Sequence, residues 1–212
     1  MSTEEIHSGE LLKRAAAGDE RAVNELFTLH RGRLRAMVRL RLNCRLHGRV
    51  DPSDVLQEAY LEICKGLTDY LRAPTLPFFL WLRHITGQQL IMAHRRHLGA
   101  QMRDADREVS LYRGALPQAS SASLAAQLLG RLTSASHAAL RAELQIQVQE
   151  ALNSMDPLDR EVLTLRHFEM LSNDETAVVL GIKKSAASNR YVRALERLKD
   201  ILAALPDFAD LA

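Results

Sequence analysis

The chain has 212 residues, 47% of them hydrophobic and 25% charged, with a formal net charge of +2. Such a composition excludes a disordered polymer and leaves room for one large or two small folded domains. The near balance of charge excludes recognition of a polyanion by the overall field, so a charged partner has to be met by local patches.

The amino terminus, "MSTEEIHSGE", is polar and acidic and lacks the apolar core of a signal peptide. No apolar run approaches the roughly 18 residues of a membrane span, so a cytoplasmic protein is expected. From Arg31 to Val50 there are seven arginines (31, 33, 35, 39, 41, 45, 49) and no acid, whereas Asp51 to Asp69 holds five acids against Lys65 alone. Block separation of this kind is unusual for a solvated face, which normally mixes signs. Cys44 and Cys64 are too few for a disulfide framework and too isolated for a zinc site, and are expected as reduced, packed thiols.

Apolar residues recur at helical rather than alternating spacing, as in Val55, Ala59, Ile63 and in Phe78, Leu82, Ile85, which predicts an all-α protein. Asp51-Pro52 and Asp156-Pro157 each place a capping residue and an early proline before an apolar periodic run. Ser172 with Glu175 predicts a capping box. Between residues 104 and 142 the composition shifts to serine and alanine, with one short stripe at Leu124, Leu128, Leu129 and Leu132. That stretch is expected to be a long linker holding a marginal helix, between helical domains at 8–103 and 143–205.

In the second domain, helices over 157–168, 172–180 and 184–203 with a turn at Leu180-Gly181-Ile182 predict a helix-turn-helix. Ile182, Ala187, Val192 and Leu195 are expected to face the core. Lys183, Lys184, Ser185, Ser188, Asn189, Arg190 and Arg193 are expected to point outward, where the first turns of such a helix enter a major groove. Small residues admit close approach, asparagine and arginine read base edges, and the remaining cations grip phosphate. The plainer alternative is an amphipathic helix with a solvated basic face.

In the first domain, "DPSDVLQEAYLEICKGL" presents an acidic, partly apolar face that suits docking on a basic protein surface, or else is simply the outside of a bundle. "PFFLWLRHITGQQLIMAHRRH" sets Phe78, Phe79 and Trp81 beside His94, Arg95, Arg96 and His97, a combination suited to unstacked bases and their phosphates. The other reading of the rings is core.

Taken in order, "DPSDVLQE", "FFLWLRHI", "HRRH", "LDREVLTLRHFEMLS" and "LGI" resemble the bacterial sigma-70 family of RNA polymerase sigma factors, in its extracytoplasmic-function branch. The resemblance covers most of residues 10 to 203. It implies a sigma-2 helical bundle and a sigma-4 helix-turn-helix that dock on core RNA polymerase and recognise the −10 and −35 elements of promoter DNA. By this resemblance Asp54, Gln57, Glu58 and Leu61 bind the polymerase. Trp81, Gln88, His94, Arg95 and Arg96, with a loop from about Asp69 to Leu76, meet the opened −10 strand, and Lys183 to Arg193 meet the −35 duplex. The family commonly has asparagine where Gln88 stands and lysine where Ser188 stands, so the promoter preference does not carry over. An anti-sigma protein, or a kinase acting on Ser53, Ser120, Ser121 or Ser123, is an open regulatory partner.

The eight histidines follow no metal-ligand spacing, and no glycine-rich phosphate loop or nucleophile elbow is present. No enzyme activity, metal or cofactor is expected. The alternative from another class is a helix-turn-helix repressor or activator that binds duplex DNA without being a polymerase subunit, which leaves "DVLQE" and "FFLWL" without a role.

Overall fold

The computed structural model describes residues 3–98, 116–132 and 138–203. The expected boundary between 103 and 104 and the expected end at 205 lie outside them. Among the described residues every regular element is helical: α1 Thr3–Ala16, α2 Glu20–Arg41, α3 Pro52–Arg72, α4 Phe78–Leu98, α5 Ser121–Leu132, α6 Ala138–Ser154, α7 Pro157–Leu163, α8 Asn173–Leu180 and α9 Lys184–Ala203. The chain forms two compact units, one of residues 1–38 with 45–116, the other of residues 39–44 with 117–212.

In the first unit, helix starts are fixed by aspartates. Asp19 accepts from the Arg21 and Ala22 amides at 3.0 and 3.3 Å at the head of α2. Asp51 accepts from the Ser53 amide at 2.7 Å, with Pro52 in the first turn of α3. Hydrogen bonds hold both carboxyls below their ordinary range, from the Arg14 side chain for Asp19 and from the Ser53 backbone for Asp51. The core of the unit is built from Leu26, Leu34, Met37, Leu56, Ile63, Leu82 and Leu90, all at most 2% exposed.

The second unit is organised around α5 and α6. Leu124, Ala125 and Leu129 of α5 pack with Leu144, Val148 and Leu152 of α6, Leu163, Phe168, Ala194 and Leu198. The helix expected inside the serine- and alanine-rich stretch therefore forms and is part of a packed core from Pro117 on, because its leucines recur at i, i+4 and i+5. The side chain of Leu132 lies outside the described residues. At about 1.5–3 kcal/mol for each fully buried leucine, these contacts dominate the unit's stability. Arg41 is buried here, at 3% exposure, where its guanidinium bonds Glu169 at 2.7 Å and Glu161 at 2.5 Å. Burial opposes its charge, but the two glutamates outweigh that and raise its pKa.

Helix α7 begins on Asp156, which accepts from the amides of Leu158 and Asp159 at 2.9 and 3.2 Å. Its continuation, Thr164–Phe168, widens into a π-helical turn instead of running on as α-helix. Ser172 and Glu175 form the expected reciprocal capping box. Helix α8 ends on Gly181, at φ +62°, where the Ile182 amide donates to the Ala177 carbonyl at 3.0 Å. Ala177 is buried, as its small size at this crossing predicts.

The core register of α9 differs from expectation. Ala187, Ala194 and Leu198 are buried with Tyr191 packed beside them, whereas Val192 is 50% and Leu195 37% exposed. Positions 187, 191, 194 and 198 stay within one helical stripe, and 192 and 195 rotate out of it. Cys44 and Cys64 also depart from expectation: both are exposed free thiols.

Gly181→Ala places a Cβ in the left-handed region, and a destabilisation of about 1–2 kcal/mol is expected. Amide exchange should accelerate in α8 and α9 and stay unchanged in α3 and α4; equal protection in both variants would show that the turn tolerates a side chain.

Candidate functional site

Helix α3 carries the residues expected to bind polymerase, and the structure gives them different situations. Leu61 is 58% exposed and Gln57 is exposed. Both line an open groove of about 360 Å³ whose other wall is α2, through Asn24, Phe27 and Arg31. Tyr60 closes the floor by donating to Asn24 Oδ1 at 2.5 Å and packing its ring 5.0 Å from that of Phe27. Asp54 occupies the capping box of α3, accepting weakly from the Asp51 amide at 3.4 Å, so it has a folding role besides any docking role. Sequence reasoning missed Asn24, Phe27 and Arg31. Their i, i+3, i+7 spacing was a signal, obscured by the polar character of two of the three.

Glu58 is not free to act alone. Arg96 of α4 holds its carboxylate with both terminal nitrogens, one of them at 3.0 Å. One residue expected at the polymerase and one expected at the −10 strand thus meet in a bidentate ion pair at the surface of the first unit.

On α4 the aromatic run divides. Phe78 and Phe79 are buried, at 8% and 6% exposure, so for them the core reading holds. The guanidinium of Arg33 lies 3.5 Å from the centre of the Phe79 ring. Trp81 is half-buried and stacked on Tyr70, ring centres 4.5 Å apart. The Tyr70 hydroxyl donates to the Leu76 carbonyl at 2.9 Å and so pins the following loop. Because α3 continues to Arg72, only residues 73–77 form that loop, and Asp69 to Arg72 are helical.

His94 departs from expectation. It is only 2% exposed, because its position falls on the buried side of α4 with Leu90 and Ala93, so it offers no ring to a nucleic acid. Gln88 and Arg95 are exposed and, with His84 and Met92, make one continuous strip at i, i+4, i+8, i+11.

In the second unit, Lys183, just before α9, and Lys184, Ser185, Ser188, Asn189 and Arg193 on its first half are all exposed. Ala187 is small because it packs at 1% exposure, not to admit a partner. Lys184 is engaged by Asp174, Nζ to Oδ2 at 2.5 Å, and its carbonyl accepts from Asn173 Nδ2 at 3.0 Å. Arg190 is half-buried and bonds Asp159 at 2.7 Å. An open hollow of about 620 Å³ is lined by Ala186, Asn189, Arg190, Val192 and Arg193. Ser121, considered for phosphorylation, is buried and accepts from Arg160 at 3.3 Å, which closes it to a kinase.

An apolar-edged groove on one helical unit and a basic helix-turn-helix on the other define a DNA-associated regulator. The Sigma-70, region 4 family matches residues 145–198, from the second half of α6 through most of α9. The chain is 28% identical over 199 residues to the ECF RNA polymerase sigma factor SigD of Mycobacterium tuberculosis, covering 94% of this chain and 85% of that one. It is 27% identical over 194 residues to the RNA polymerase sigma-H factor of Pseudomonas aeruginosa, covering 91% and 92%. A 57-residue stretch is 37% identical to the sigma-E factor of Streptomyces coelicolor, covering 27% of this chain and 32% of that protein. In fold it is similar to CnrH, solved in complex with the cytosolic domain of CnrY, at a TM-score of 0.53 and 24% identity over 93% of this chain and 98% of that one. The chain is thus similar to extracytoplasmic-function factors of the sigma-70 family along more than nine tenths of its length, which supports a factor of that type. It is a transcription initiation factor, and the reading as a repressor or activator independent of polymerase is set aside.

The chain has a single tryptophan, so its emission reports on the surroundings of Trp81, where Tyr70 is stacked and Phe78 lies beside it. Tyr70→Ala should red-shift that emission and cost about 0.5–1.5 kcal/mol beyond lost burial; an unmoved spectrum would mean that the stack does not persist in solution.

Proposed function

We propose that the protein binds core RNA polymerase through the α2–α3 groove, meets the −35 duplex with α9, and captures the opened −10 strand along α4. The observation that carries the reading is the first half of α9. Directly after the Gly181 turn it offers Lys183, Ser185, Ser188, Asn189 and Arg193 as an exposed polar and cationic face. Hydrogen-bonding groups short enough to reach base edges, flanked by cations for phosphate, suit a major groove.

Groove chemistry supports the polymerase part. Leu61 supplies an exposed apolar anchor, Gln57 and Asn24 supply hydrogen bonds, and Arg31 stands at the rim. Along α4, Gln88, Arg95 and the Trp81 edge are the groups left for the opened strand once His94 and the two phenylalanines are assigned to the core. Strand opening then needs no chemical step: a protein that prefers the opened state shifts the equilibrium by its difference in affinity for the two. The factor therefore works by binding, not catalysis, in the cytoplasm where its polymerase acts. No helix among the described residues is long and apolar enough to cross a membrane. A regulatory protein or kinase belongs to the same proposal, with half-exposed Ser53 at the edge of the groove as its candidate contact.

Run-off transcription from a library of promoter fragments, with cognate core polymerase and with core alone, tests this reading. Transcripts that depend on the protein and share a two-part upstream element are expected. Leu61→Asp should weaken core binding at least about ten-fold, as truncating a central anchor does, with little change in melting because the side chain is already exposed. Unchanged transcription by this variant would remove α3 from the interface.

A further inference from the structure

The sequence places two acids three residues apart, Asp156 and Asp159, at the start of α7, and both face one arginine of α9. Asp156 spends its Oδ1 on the amides of Leu158 and Asp159 and stands 3.8 Å from Arg190 Nη1. Asp159 bonds the same nitrogen at 2.7 Å, and its side chain is only 20% exposed. The Arg190 side chain is 30% exposed, less than that of Lys184 at 68%. An ion pair this sheltered is worth more than a surface pair and fixes the guanidinium plane.

A guanidinium carries five N–H donors in a rigid fork. The aspartates engage Nη1 only, and among the described residues the Nε and Nη2 edge makes no hydrogen bond. Arg190 lines an open hollow together with Asn189 and Arg193. Two parallel donors held in a set orientation match the O6 and N7 acceptors that guanine shows in the major groove. A phosphate is the wrong ligand here, because two carboxylates beside the arginine repel it. Arg193 and Lys183, exposed and with no acid partner among the described residues, are the better phosphate grips.

We infer that Asp159 is a positioning residue which presents Arg190 to a guanine in the upstream duplex element, so that Arg190 sets base preference more than overall affinity. The inference rests on the proposed contact between α9 and duplex DNA. Holding the side chain in advance removes rotamer entropy that binding would otherwise cost, and leaves the geometry of the free edge to discriminate.

The test uses the full chain, with the duplex element obtained from run-off transcription. Each base pair of that element is replaced in turn by the other three, and binding is measured by competition anisotropy over a range of salt. Arg190→Ala and Asp159→Ala should both lose about ten-fold discrimination for guanine at one and the same position. Their affinity for a scrambled duplex should change little. Arg193→Ala should instead weaken all duplexes alike and lower the salt slope by about one. Asp159→Asn, which keeps the shape at that position and should melt close to the parent, should lose part of the discrimination, a result that loss of folding cannot produce. Asp159 variants that keep the guanine preference, or that strengthen binding to every duplex equally, overturn the inference and leave α9 as the contact helix. A parent protein that selects no upstream element, alone or with polymerase, overturns both readings.

Discussion

The second unit depends on one backbone conformation, the left-handed turn at Gly181. A helix ends naturally there because glycine adopts φ +62° without a Cβ clash, and the Ile182 amide folds back on the Ala177 carbonyl. From that point α9 turns away from α8, so that Ala187 is buried and Tyr191, Ala194 and Leu198 reach the α5–α6 core. The same rotation that buries this stripe turns residues 183, 185, 188, 189 and 193 to solvent. Packing and presentation are thus two faces of one helix, fixed together by a three-residue turn.

Charge in this protein is arranged more locally than its cation count suggests. Arg41 is neutralised inside a core, Arg96 by Glu58, Lys184 by Asp174 and Arg190 by Asp159. Each of these acids lies far along the chain from its base or on another helix. What remains for an anion is a narrower set of exposed cations than the arginine-rich sequence blocks imply. Such neutralisation favours recognition by shape and hydrogen bonds over attraction at a distance, since paired charges contribute little field beyond a Debye length.

Much of the fold was legible because it rests on local signals. The Asp-Pro starts, the Ser172–Glu175 box and Gly181 act through backbone groups a few residues away, and sequence spacing captures such contacts. What was not legible depends on partners distant in sequence. The burial of His94, the outward turn of Val192 and Leu195, and the packing of α5 follow from which side of each helix meets a neighbour. The site shows the same division. The exposed residues at the start of α9 follow from the turn, while the Asp159–Arg190 bond spans 31 positions and the groove wall on α2 lies some 30 residues before α3. The ion pair leaves no periodic trace, and the spacing of the groove wall is masked by the polarity of Asn24 and Arg31.

The two cysteines have a practical consequence. Cys64 lies in the first unit and Cys44 in the second, both exposed, neither in a disulfide, and the sequence has no others. The native chain therefore carries one chemical handle on each body. Maleimide reagents attached there label the chain at two defined positions without any engineered cysteine, so the surroundings of each can be followed as polymerase and promoter are added.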